Sequence, residues 1–121
     1  MTAANKAKGS RYESSVCDTL QGMGVKAKRL PRTGANDIGD AAFPLSVGTL
    51  VLEAKARKAM DYAQWVREAE VEAVNYEHKY PAETPTFGAV VVKRRQKAIE
   101  ESYVVMTMAE FVDMLKAVGA V

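Results

Sequence analysis

The chain has 121 residues, 48% of them hydrophobic and 26% charged, with a net charge of +2 at neutral pH. That composition suits a single globular domain (residues 1–121) with one hydrophobic core, and speaks against a disordered chain. No apolar run approaches the roughly 20 residues of a membrane helix, and one cysteine and one histidine leave no intramolecular disulfide, thiolate zinc site or multi-histidine cage.

The opening "MTAANKAKGS" is polar and lacks the apolar centre of a secretory signal. Residues 1–8 are therefore expected to be loose, and the protein cytoplasmic. From Ser10, the apolar residues Tyr12, Val16, Leu20 and Met23 recur at helical spacing until Gly22 and Gly24 end the helix. Cys17 lies within this stretch and reads as a small core residue. "VKAKRL" (25–30) alternates as a half-exposed strand, and "PRTGANDIGD" (31–40) is a turn-rich loop leading into a short extended piece, "AAF". Pro44 and Gly48 bracket a further turn.

"TLVLEAKA" (49–56) is the central-strand candidate. Asp61 is placed to cap a second helix from Tyr62 to about His78, with Trp65, Val66 and the alanines packed and Glu68, Glu70, Glu72 and Glu77 facing water. "FGAVVVKRR" (87–95) and "YVVM" (103–106) are two more strands. Thr107 and Glu110 form a capping box for a last helix, 108–118, with Phe111, Met114, Leu115 and Val118 on its apolar face. The order predicts an α/β fold, a mixed central β-sheet flanked by helices.

Charge is unevenly placed. Residues 1–58 carry ten Lys/Arg against five Asp/Glu (+5), and residues 59–121 carry seven against ten (−3). The basic half contains Glu53 and Lys55, which end an apolar strand at i, i+2 spacing and so share one face about 6.6 Å apart. They could be the polar end of an edge strand. They also suit a hydrolytic metal site, where the carboxylate holds a hard cation and the lysine faces the attacking water. Such a site needs more carboxylates. Asp37 and Asp40 precede the strand, and a hairpin would bring Asp40 toward Glu53. Glu13 lies beside the apolar stripe of the first helix.

Together, "KGSRYE", "KRLPRTG", "GD", "LEAK" and "VVVKRR" resemble, in order, the motifs of the PD-(D/E)XK nuclease superfamily, and within it the short Holliday junction resolvases of archaea and bacteriophages. The resemblance implies a restriction-endonuclease-like core. It implies a metal site of Glu13, Asp40 and Glu53, with Asp37 the rival to Asp40, and catalytic roles for Lys55 and Thr33. It further implies Mg²⁺ as cofactor, one or two ions per subunit with Mn²⁺ as substitute, and a homodimer that resolves four-way DNA junctions by paired phosphodiester hydrolysis. Lys6, Lys8, Arg11, Arg29, Arg32, Arg57, Lys58, Arg94 and Arg95 are then the candidates for phosphate contacts. Two alternatives remain: a nuclease with the same core acting on non-junction DNA, and a non-catalytic nucleic-acid-binding protein of the same fold.

Overall fold

The computed structural model describes residues 3–31 and 37–119, with side chains from residue 9 onward. Arg32 and Thr33 lie outside the described residues, as do the side chains of Lys6 and Lys8. The elements run α1 (Ala3–Gly22), β1 (Lys28–Arg29), β2 (Ala41–Leu45), β3 (Gly48–Lys55), α2 (Tyr62–Lys79), β4 (Thr86–Val92), a 3-10 turn (Ile99–Glu101), β5 (Tyr103–Val105) and α3 (Met108–Ala117). No helix among the described residues is long and apolar enough to cross a membrane.

The strands form one mixed sheet in the order β1-β2-β3-β4-β5. β3 and β4 are parallel and every other pairing is antiparallel. Parallel neighbours need a long crossover, and α2 supplies it. Alternation along the strands then assigns the two faces. Leu50, Leu52, Phe87, Ala89 and Val91 turn toward Tyr12 and Val16 of α1, joined by Met114 and Ala117 of α3. Val90 and Val92 turn the other way, toward Trp65 and Val66 of α2, while Val51 and Ala42 meet Ala73. One helix therefore covers the face that holds Glu53, and the other two cover its reverse.

α2 packs directly against the sheet at Gly88, where the residues between them are small. A Cβ at Gly88 would collide with the Ala69 carbonyl and touch the Ala73 methyl. That close approach brings the middle of α2 down onto β3.

Several boundaries differ from expectation. α1 begins at Ala3 and not at Ser10. β1 shrinks to two residues, because only Lys28 and Arg29 pair with β2. Pro44 is a member of β2, opposite Thr49; β1 has ended by then, so its missing N–H leaves no ladder bond unmade. β4 stops at Val92, and Arg94 and Arg95 follow it. The capping box at α3 forms only by half. Thr107 accepts from the Glu110 N–H, but the Glu110 carboxylate reaches across to accept from the Gly88 N–H at 3.0 Å. α3 buries none of its residues fully, and Phe111 and Val118 of its apolar face are exposed. Cys17 is a buried core residue, as expected.

Candidate metal centre

The site assembles where the parallel strand, the preceding loop and the crossover helix meet. β3 carries Glu53 and Lys55 onto the α2 side. The register of the β2–β3 hairpin pairs Ala41 with Leu52, which sets Asp40 beside Glu53. Two backbone-linked contacts lock it there: the Asp40 N–H donates to the Leu52 carbonyl at 2.9 Å, and Asp40 Oδ2 accepts from the Ala54 N–H at 2.8 Å.

Asp37 is held from both ends. Its Oδ1 accepts from the Gly39 N–H at 2.9 Å, and its carbonyl accepts from Asn75 Nδ2 of α2 at 2.9 Å. The turn between the two aspartates depends on Gly39, which sits at φ +97° with Val51 Cγ1 where a Cβ would be and the Leu52 carbonyl 3.3 Å from that point. Any L-residue there would be both strained and obstructed.

The fourth carboxylate comes from α2. Glu72 is 5% exposed and Glu53 8%. One carboxylate oxygen from each of Asp37, Glu53 and Glu72 lies within 4.8 Å of the other two. Glu72 Oε2 is buried without a hydrogen-bond partner. A buried carboxylate oxygen left in this state is costly, and a cation is the simplest partner that would satisfy it.

The electrostatics agree. Burial, then the hydrogen bond and charge of Glu53, push the Asp40 carboxyl up to about 8. Burial likewise raises Glu53 to about 8, with Glu72 adding to the rise and Asp40 and Lys55 opposing it. Burial also lifts Glu72 to about 7, opposed by its hydrogen bond with Glu53 and the charge of Lys55 and supported by the charges of Asp37 and Asp40. These groups must share protons unless positive charge is brought among them. Oxygen donors of this number and hardness fit a divalent cation of the magnesium or manganese kind.

Lys55 stands at the rim. Burial lowers its pKa, but the Glu68 carboxylate 2.9 Å from Nζ, with Glu53 and Glu72 nearby, raises it on balance. It is therefore an ammonium at neutral pH, suited to stabilising negative charge and unsuited to removing a proton.

Glu13 of α1 is bound to Arg29 at 3.1 Å, and Arg29 also donates to Ser14; Glu13 is not among the three carboxylates that come within 4.8 Å of one another. The ion-sized trio includes Asp37, with Asp40 next to it as the partner of Glu53. Arg57 and Lys58 are exposed just beyond Lys55, Arg11 and Arg95 are exposed, and Arg94 is half-buried with its guanidinium 4.6 Å from the Tyr103 ring centre.

Glu72 is the residue that sequence reasoning misplaced by assigning it to solvent. Its signal was present: Trp65, Ala69, Ala73 and Tyr76 follow the buried stripe of α2, and position 72 falls on that stripe. A carboxylate amid an apolar stripe calls for a partner.

No protein-family model matches the chain, and no curated protein matches it. Among solved structures, the Hjc Holliday junction resolvase of the archaeal hyperthermophile Archaeoglobus fulgidus is similar in shape, with a TM-score of 0.50 and 18% sequence identity. The likeness covers 86% of this chain and 93% of that one. This chain has a restriction-endonuclease-like core. The mixed sheet, with helices on both faces, is the architecture the sequence led us to expect.

Proposed function

We propose that this protein is a metal-dependent DNA endonuclease of the PD-(D/E)XK type, and that it resolves four-way junctions as a homodimer. The observation that carries the metal-dependent part is the close trio of Asp37, Glu53 and Glu72 carboxylates, one Glu72 oxygen being buried without a hydrogen-bond partner, beside a charged lysine. The fold shared with an archaeal junction resolvase supports the nuclease part, and the basic residues flanking the site support a polyanionic substrate.

Glu53, Asp37 and Glu72 would hold Mg²⁺, with Asp40 fixing Glu53 in place. Bound there, the ion supplies Lewis-acid polarisation of a phosphate oxygen. Lys55 places its ammonium where negative charge grows on the phosphorus-bound oxygens, a contribution that is largest in a site already organised for it. Arg57 and Lys58, exposed next to Lys55, contact flanking phosphates and give salt-dependent, sequence-indifferent affinity.

Two cuts on opposed strands require two sites, and each chain provides one. A closed two-fold dimer meets that requirement. Exposed apolar residues on β5 and α3, among them Tyr103, Val104, Met108 and Phe111, offer a surface for it.

The test is cleavage of a four-way junction beside linear duplex and single strands, with and without Mg²⁺. Paired nicking confined to the junction and dependent on Mg²⁺ is expected. Equal cutting of linear duplex would make it a nuclease of another specificity, and binding without cutting in any divalent metal would make it a non-catalytic member of the fold.

A further inference from the structure

An ammonium on β3 is a built-in rival for the site. Lys55 shares a strand face with Glu53, about 6.6 Å along the chain, and its four-carbon stem has the reach and freedom to swing onto that carboxylate. Glu53 and Glu72 both attract it. If it moved among them it would satisfy the very oxygens a divalent cation needs.

A chain of polar contacts along α2 opposes that motion. Arg67 donates to Gln64 Oε1 at 3.2 Å, and Gln64 Nε2 donates to Glu68 Oε1 at 3.1 Å. The other oxygen of Glu68 holds Lys55 Nζ at 2.9 Å. Gln64, Glu68 and Glu72 are spaced at i, i+4 and i+8, so one side of the helix presents all three. Glu68 thus sits one turn from Glu72, with both its oxygens engaged. Arg57 adds a second positive charge near it.

We propose that Glu68 is a positioning residue that holds the Lys55 ammonium clear of the carboxylate cluster, keeping the cation site open. The proposal rests on the reading of Asp37, Glu53 and Glu72 as a divalent-cation site. The Lys55 and Glu68 side chains are 16% and 35% exposed, so the pair stands at the edge of the site and is not part of the apolar core. Its value lies in where it keeps the charge.

Mn²⁺ binding to the full chain, measured by calorimetry and by the electron-spin signal of the free ion, tests this without reference to cleavage. Glu68→Gln keeps the shape of the side chain and its contact with Gln64. It is expected to bind Mn²⁺ about tenfold more weakly than wild type, because Lys55 then neutralises Glu53. Lys55→Met and the double variant Lys55→Met/Glu68→Gln should bind alike, and no more weakly than wild type.

Unchanged affinity in Glu68→Gln would overturn the proposal. So would a tenfold loss that persists in the Lys55→Met background, since that would reflect only the charge of Glu68 itself. Wild-type protein that binds no Mn²⁺ would instead sink the cation-site reading, and this proposal with it.

Discussion

The two faces of β3 differ in kind. Leu50 and Leu52 enter the larger core beneath α1 and α3. Glu53 and Lys55, alternating with them on the same strand, turn to α2 and meet carboxylates there. The first face is closed by apolar contact and needs nothing further. The second buries charge that the described residues leave incompletely satisfied, which is the mark of a site in place of a core. One strand thus carries a core face and an acidic cluster at alternate positions.

If this division is correct, substitutions on the two faces should separate. Glu53→Gln should abolish cleavage and weaken metal binding on the order of a hundredfold, while leaving the apo protein as stable or more so, since a buried carboxylate in a crowded acidic site is removed. Glu72→Gln should follow it with a smaller loss of metal binding. Calorimetric Mn²⁺ titration and thermal melting report both quantities.

Leu52→Ala should do the reverse. It lies at 3% exposure in the opposite core, so it should cost about 2–5 kcal/mol in urea unfolding while metal affinity per folded molecule stays close to wild type. A comparable loss of metal affinity would break the separation.

pH sharpens the contrast further. The folded carboxyls of Asp40, Glu53 and Glu72 are raised, to about 8, 8 and 7. Between the ordinary carboxyl range and those values the native state binds more protons than the unfolded chain. Stability of the metal-free protein should therefore fall as pH rises from 5 to 8. Saturating Mg²⁺ should flatten or reverse that trend, and melting curves across this range show which.

The smallest effect is expected at Glu13. Glu13→Gln breaks the contact with Arg29 but leaves the trio of Asp37, Glu53 and Glu72 intact, so Mn²⁺ affinity should stay within about twofold of wild type. A loss as large as that of Glu72→Gln would return Glu13 to the metal site.

Much of this arrangement was legible before any coordinates. Glu53 and Lys55 announced themselves because charge at the end of an apolar strand needs a reason, and the period of two put them on one face. The α/β order followed from the alternation of strand-like and helix-like runs. Asp40 was preferred to Asp37 as the ligand beside Glu53, yet the aspartate oxygen that lies within 4.8 Å of both Glu53 and Glu72 belongs to Asp37; the turn at Gly39, with its φ of +97°, separates the two aspartates in a way their spacing does not announce. Glu72 was passed over as one of a run of glutamates on α2. Its depth comes from Gly88, Ala69 and Ala73, whose small size draws the helix down, and that is a property of the packed pair and not of the helix alone. Glu13 was expected in the metal site, and its contact with Arg29, sixteen residues away, could not be foreseen from local spacing. Thr107 and Glu110 gave the start of α3 correctly, but the amide on β4 that takes the Glu110 carboxylate could not be foreseen from local spacing.

The account stands or falls on where a cation goes. A crystal of the protein soaked in Mn²⁺ and measured at the manganese edge should show an anomalous peak within bonding distance of Asp37, Glu53 and Glu72, on the α2 side of the sheet. A peak on the α1 side at Glu13, or no peak at the carboxylate cluster under conditions that support cleavage, would contradict it.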